Sequence, residues 1–302
     1  MTTLYSRNIK LVIHATKSIV VEDLYVSFEV LLRNSEKINT GKFMIYNLAK
    51  STRSLIQGDY IFCEFFTSYG SDEPSRIFQG EIMNVFHNEV GADWVTELYA
   101  GDGIKSIDTS YFNKTFKSGV AVRSIIDEIA SSMGLSLRLS NSATTVLNSV
   151  VLKKSRTLEG NSKKAINDFL KDFGLDWSVQ FGVLEIALSG EEIVGKNTIV
   201  NINSESGLIG SPAVNWKKVK KGKVEKFESS VSFESLIIPE LVPNSLINVQ
   251  SDNFKVNFSD LYGNKLKENK NASGIYVIKE SRFSGSNFGG SFSVKVIANA
   301  KQ

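Results

Sequence analysis

Phe43-Met44-Ile45-Tyr46-Asn47-Leu48, then Gly58-Asp59, then Ile61-Phe62-Cys63-Glu64-Phe65 set the reading of this chain. Phe43, Ile45 and Asn47 alternate with Met44 and Tyr46, and Ile61, Cys63 and Phe65 alternate with Phe62 and Glu64. A period of two belongs to extended chain with one face in a core. Working toward the N-terminus, Ile9, Leu11 and Ile13 alternate with Lys10, Val12 and His14 in the same way. Toward the C-terminus the pattern predicts strands over 77–87 and 94–100, with turns at Gly70-Ser71-Asp72 and Gly91-Ala92-Asp93. Five or more short antiparallel strands within the first hundred residues indicate a barrel or sandwich.

The period then changes. Val122, Ile125, Ile126, Ile129, Ala130 and Met133 fall on one helical face, with Ser118 placed to cap the start and Gly134 to end the helix left-handed. Ala165, Ile166, Phe169, Leu170 and Phe173 repeat the pattern forty residues later, with Ser162 as cap and Gly174 as stop. Each copy runs into a strand, over 136–139 and 176–179. Two copies are too few for a solenoid, which needs about three or more repeats, so a small α/β unit with internal duplication is expected. From about residue 195 the strand period returns over 198–202, 229–238, 247–258 and 274–279. In the last strand Phe292, Val294, Val296 and Ala298 face one way. The fold class expected is therefore mainly β with an α/β insert, divided as 1–105, 106–195 and 196–302.

Composition narrows the function. The 302 residues carry 35 Lys plus Arg against 32 Asp plus Glu, a net charge of +3, so any basic function must be local. Only 4 prolines and 42% hydrophobic residues describe a folding chain rather than a disordered one. No apolar run exceeds four residues, as at 43–46, 60–63 and 275–278, against the ~20 of a membrane-spanning helix. The N-terminus lacks the build of a secretory signal, which predicts synthesis in the cytoplasm.

Candidates for chemistry are sparse. The only two histidines, His14 and His87, have no His or Cys at zinc-ligand spacing. Cys63 is the single cysteine and shares a strand face with Ile61 and Phe65, as a small buried hydrophobe would. Gly101-Asp102-Gly103 fits no phosphate or calcium loop and reads as a strand-ending turn. Glu191-Glu192 and Asp127-Glu128 are carboxylate pairs of the type glycoside hydrolysis uses, but their settings predict solvated charges. No catalytic, cofactor or metal residue is assigned. The one charge cluster, Lys217, Lys218, Lys220, Lys221, Lys223 and Lys226, reads as a solvated hairpin turning at Gly222 whose lysines discourage strand association. The alternative, in which Lys217, Lys218, Lys220, Lys221 and Lys223 face DNA, stays open, although no aromatics interleave with them.

Three groups of motifs resemble a known family. The first is Phe43-Met44-Ile45-Tyr46-Asn47-Leu48, Ile56-Gln57-Gly58, Arg76-Ile77-Phe78-Gln79-Gly80-Glu81-Ile82 and Thr96 through Gly103. The second is Glu205-Ser206-Gly207-Leu208-Ile209-Gly210-Ser211-Pro212. The third is Val231 through Val242-Pro243, with Gly274-Ile275-Tyr276-Val277-Ile278 and Phe288-Gly289-Gly290-Ser291-Phe292. Together they are similar to phage tail baseplate hub proteins, the late-control-protein type of central hub in contractile tails. Asn244 stands where that family often has Gly, and Asn tolerates the same left-handed turn.

The resemblance implies two tube-protein-like β-barrels, 1–105 and 196–302, flanking the middle domain 106–195. It implies a homotrimer whose six barrels form a ring, adapting a sixfold tail tube to a threefold central spike. The lumen would admit the tape measure protein and then DNA in transit, with other baseplate proteins bound outside. The location implied is the virion tail, with no enzyme activity and no cofactor. The spike is expected to be a separate protein, since the chain ends at Gln302. The competing expectation is a virion-associated carbohydrate-binding or host-surface recognition module, for which Trp94, Trp177 and Trp216 are scattered over three regions. A nucleic-acid binder using the lysine run is the third, and would show steep salt dependence.

Overall fold

The structure is a computed structural model that describes residues 6–196, 198–221, 224–258 and 273–301. The first region contributes β1 (Arg7–His14), β2 (Ser18–Val21), β3 (Val26–Arg33), β4 (Thr40–Tyr46), the short helix α1 (Lys50–Arg53), β5 (Phe62–Tyr69), β6 (Ser75–Val90), β7 (Asp93–Gly101) and α2 (Ile104–Asp108). The middle contributes β8 (Tyr111–Phe116), α3 (Val122–Ser132), β9 (Ser136–Leu139), α4 (Asn141–Ser149), β10 (Arg156–Asn161), α5 (Ser162–Leu170), β11 (Leu175–Gln180) and β12 (Val183–Leu188). The last region contributes β13 (Val200–Ile202), β14 (Leu208–Lys221), β15 (Val224–Leu236), β16 (Leu246–Val249), β17 (Lys255–Phe258), β18 (Gly274–Ser286) and β19 (Phe292–Ala300). The fold is mainly β with an α/β insert.

Both β regions belong to one 14-stranded sheet, ordered β17-β14-β15-β19-β18-β3-β4-β7-β6-β5-β1-β2, with β13 and β16 attached through β18. The join is the antiparallel pair β3–β18, running from Arg33 opposite Glu280 to Ser27 opposite Ser286. Side chains reinforce it. Asn287 accepts the Val26 N–H at 2.9 Å and donates to the Leu24 carbonyl at 2.7 Å. One apolar core serves both regions, and its aromatic residues run from one to the other: Phe43 meets Phe65, Phe65 meets Phe28, and Phe28 meets Phe292, with centroids 4.8, 4.6 and 5.7 Å apart. The Tyr69 hydroxyl accepts the Ile237 N–H at 3.0 Å, tying β5 to the end of β15.

The glycines and asparagines of the motifs have steric reasons. A methyl on Gly80 in β6 would sit 2.5 Å from the Gly101 carbonyl oxygen, so these two backbones meet only because no side chain intervenes. Asn47 ends β4 at φ 56°, and its side chain accepts the Trp94 N–H at 3.0 Å while donating to Asp93 at 2.8 Å. Asn244 is left-handed at φ 64° and fully buried.

The insert has its own core, built from α3, α5 and the three-stranded sheet β11-β12-β9. The duplicated helix-strand units place β9 and β11 on either side of β12, parallel and antiparallel to it. Gly134 and Gly174 are left-handed, at φ 67° and 65°, as the helix stops require.

The caps differ from expectation. Ala121 precedes α3 without a side-chain cap, and Ser118 instead donates to the carbonyls of Lys153 at 3.1 Å and Leu152 at 3.4 Å. Asn161 caps α5 by accepting the Lys163 N–H at 2.8 Å, whereas Ser162 is the first helical residue and is buried against the Ser132 hydroxyl. The strand expected over 247–258 is two strands, β16 and β17, with different partners: β16 pairs β13 and β18, and β17 pairs β14.

Candidate functional site

The most heavily built polar feature is the seam where the β11–β12 hairpin meets both β regions. On the first region, β7 ends in Gly101-Asp102-Gly103, and left-handed Gly103, φ 73°, leads into α2. This turn aims the Asp102 carboxylate at the hairpin turn, where it accepts the Phe181 N–H at 2.5 Å and the Gly182 N–H at 3.0 Å. Asp102 is therefore more than the end of a strand. Burial pushes its carboxyl up to about 7; the two N–H donors pull the other way, neighbouring Glu81 adds to the rise and Arg76 opposes it. Beside it, Glu81 accepts the Ile104 N–H at 3.0 Å.

Asn39, 1% exposed, completes this half. It donates to the Val179 carbonyl at 2.8 Å and to the Gln180 side-chain oxygen at 3.0 Å, and accepts the Arg33 N–H at 2.7 Å. Gln180 returns a hydrogen bond to the Arg33 carbonyl at 2.7 Å.

On the second region the central residue is Glu185 of β12, 1% exposed. Its carboxylate lies 2.7 Å from the Lys196 ammonium and accepts the Asn244 side-chain N–H at 2.8 Å. Lys196 also donates to the Pro243 carbonyl at 2.9 Å. Burial lowers the Lys196 ammonium below the usual lysine range, while Glu185 acts to raise it. The left-handed turn at Asn244 is what lets the chain present the Pro243 carbonyl and the Asn244 amide to the same pair. The seam has the character of a joint: each of its charges, Glu81, Asp102, Glu185 and Lys196, is met by a partner.

The remaining sequence candidates fall elsewhere and apart. His14 pairs with Glu64 at 3.1 Å at the surface, and His87 meets the Thr96 hydroxyl at 3.1 Å. Cys63 is fully buried, and burial pushes its thiol up to about 12. Asp127 pairs with Arg123 one helical turn away at 3.0 Å, and Glu128 with Lys114 at 2.7 Å. Glu191 and Glu192 are more than solvated charges. Glu191 accepts the Ser140 hydroxyl at 2.6 Å and the Ser142 N–H at 3.0 Å at the start of α4, and Glu192 pairs with Lys301 at 2.8 Å. Among the described residues no group of three or more His, Cys, Asp or Glu could hold a metal ion.

Lys217, Lys218, Lys220 and Lys221 lie in β14, which pairs with β15 from Asn215 opposite Ser230 to Lys221 opposite Val224. Lys223, with Gly222, lies outside the described residues. Trp94 is exposed beneath the Arg53 guanidinium, 4.3 Å from its ring, and Trp177 is buried in the insert's core. An open cleft of about 740 Å³ lies at the end of β1 and β5, bordered by Arg7, Asp23, Asp72 and Phe288. Tyr25 and Phe288 beside it are tilted by 44°, so they form no flat stacking platform.

Sequence reasoning missed Asn39, Gln180, Glu185 and Lys196. The one available signal was a single carboxylate inside the apolar strand Val183-Leu184-Glu185-Ile186-Ala187-Leu188.

Comparison of the sequence with protein families and with curated proteins gives no match. Comparison of the folds does. The 43 kDa tail protein of prophage MuSo2 from Shewanella oneidensis superposes with a TM-score of 0.59 at 9% identity, covering 97% of this chain and 98% of that one. The fold is that of phage tail proteins. A tail protein from Neisseria meningitidis MC58 matches equally well, with a TM-score of 0.59 at 10% identity over 98% and 97% of the two chains. A third is the E. coli c3393 protein, a type VI secretion component described as structurally similar to the T4 tail proteins gp27 and gp5; it gives a TM-score of 0.58 at 11% identity, over 92% of this chain and 74% of its own. At such identities the shared property is the tail-protein fold.

Proposed function

We propose that this chain is the structural hub of a phage tail baseplate. Three copies form a ring in which residues 1–105 and 196–302 of each act as tube-like β-barrels and 106–195 as an outer middle domain. The ring adapts a sixfold tail tube to a threefold central spike and leaves a lumen for the tape measure protein and, in transit, DNA. Its location is the virion tail, its work is geometric, and no chemistry is required of it.

The observation that carries this reading is the match over whole chains: the two tail proteins align from end to end in both directions. The joint sheet supports it. Two β regions joined in one sheet through β3–β18 and tied to the insert by a polar seam suit a subunit that carries both regions into one assembly. Similarity to a chain of a Francisella PdpA-VgrG complex, with a TM-score of 0.56 at 9% identity over 59% of that chain, favours a spike-type protein among the partners.

The test is the solution mass of the purified chain across a wide concentration range. A mass three times that of one chain is expected. A monomer at every concentration that also binds glycans would favour a carbohydrate-binding, host-surface module instead.

A further inference from the structure

The open cleft of about 740 Å³ at the end of β1 and β5 is walled by both β regions, with Asp23, Asp72 and Glu73 from the first and Phe288 from the last. Its walls are tied to one another. The Arg7 guanidinium donates to the Gly289 and Gly290 carbonyls at 2.9 Å each and lies 5.3 Å from the centre of the Phe292 ring. The Asn8 amide donates to the Gly70 carbonyl at 2.6 Å. A preformed opening of this size matches those that ligands fill.

Charge sets the cleft apart. Its walls carry two cations, Arg7 and Lys10, against the four carboxylates of Glu22, Asp23, Asp72 and Glu73, in a chain whose net charge is +3. Both cations are engaged, Arg7 on the glycine carbonyls and Lys10 on Glu22 at 3.0 Å. Asp23, Asp72 and Glu73 are exposed and form no ion pair among the described residues.

A second, independent observation also calls for a ligand. Ser68 of β5 lines the same cleft, directly opposite Asn8 of β1. It is 7% exposed, and its hydroxyl meets no hydrogen-bonding partner. A buried hydroxyl left unpaired is costly, and a ligand group that reaches it relieves that cost.

The kind of ligand follows from the spacing of the charges. Among the described residues no three carboxylates, histidines or cysteines are grouped to hold one metal ion, so Asp23, Asp72 and Glu73 present separate sites of negative charge. Separate carboxylates suit several cationic groups carried on one chain. Phe288 at the rim and Tyr25 beside it, 63% and 36% exposed, offer an apolar surface for the stems of lysine or arginine. Their 44° tilt gives a sugar ring no flat platform.

We propose that this cleft docks a lysine- or arginine-bearing segment of a partner protein. The carboxylates of Asp23, Asp72 and Glu73 take up its cationic groups, and the Ser68 hydroxyl accepts one of their N–H donors. Because the walls come from both β regions, such a segment bears on the two at once. The site is independent of the ring reading, which is tested by the solution mass.

The experiment is isothermal titration calorimetry of the full chain with hexalysine at low and physiological salt. The wild type is expected to bind, and to bind more weakly as salt rises. A cleft variant (Asp23→Asn, Asp72→Asn, Glu73→Gln) is expected to bind about tenfold more weakly or worse, and Ser68→Ala, which changes no charge, about threefold more weakly. A control variant (Asp108→Asn, Glu159→Gln, Glu205→Gln) removes the same charge from exposed carboxylates outside the cleft. It is expected to stay within about twofold of the wild type. Circular dichroism melts check that each variant is folded.

A wild type that does not bind hexalysine overturns the proposal. So does equal weakening in the cleft and control variants, or unchanged affinity in Ser68→Ala. Binding of chitohexaose in place of hexalysine, lost in the cleft variant, overturns it in favour of a carbohydrate ligand.

Discussion

The Asp102 carboxylate accepts the Gly182 backbone N–H at 3.0 Å, across 80 residues of sequence and the boundary between the first β region and the insert. Because the site is buried, the charged form of Asp102 is disfavoured and its carboxyl titrates near 7 rather than at 3.8. A carboxyl raised in the folded state contributes full stability below its unfolded value and loses it as pH rises through its folded value. Denaturation of the wild type should therefore show the insert's anchoring weaken between about pH 4 and 7. Asp102→Asn, which cannot ionise, should gain relative to the wild type over that range. A constant difference between the two proteins across this range would contradict the assignment.

The Glu185–Lys196 pair is expected to behave as a buried ion pair with one hydrogen-bonded witness, Asn244. Lys196→Met leaves a buried carboxylate with the Asn244 amide and only a distant cation, the Arg138 guanidinium at 4.0 Å, and should cost about 3–5 kcal/mol in urea denaturation. Adding Glu185→Leu to that variant should recover much of the loss, because a packed apolar pair needs no desolvated charge. Equal losses in the single and double variants would show that the pair does not act as a unit.

Gly80→Ala places a methyl group 2.5 Å from the Gly101 carbonyl oxygen, a backbone atom that cannot swing aside. Separating β6 from the end of β7 should cost about 1–3 kcal/mol or more and lower the melting temperature. Gly91→Ala is a control for positive φ without crowding, since nothing lies within 4 Å of the added atom. It should cost less than Gly80→Ala in the same melts.

Phe28 touches Phe65 in the first region and Phe292 in the last, at 4.6 and 5.7 Å. Phe28→Ala is expected to cost about 3–5 kcal/mol. Since the core is shared, calorimetry should still show one transition for the two β regions. Two separated transitions in the wild type would mean that the regions unfold independently.

Much of this was legible in the sequence, and the boundary of legibility is physical. Alternation gave the strands around Ile9, Phe43 and Cys63 because each strand buries one face. Gly134, Gly174 and Asn244 could be read as left-handed because few residues tolerate that conformation. Ser118 and Ser162 misled because several polar residues precede each helix and tertiary partners decide which one caps. Helix α4 went unread: Asn141-Ser142-Ala143-Thr144-Thr145 has little apolar periodicity, and its start depends on Glu191, about fifty residues away. The seam was hidden for the same reason, since Asn39, Asp102, Glu185 and Lys196 acquire meaning only when distant segments meet.

The central claim is that copies of this chain close into a ring, and an image of the purified assembly tests it most directly. Class averages from negative-stain electron microscopy should show a ring of three chains, six lobes around a central channel. Solid single particles of one chain's size at every concentration imaged would contradict it.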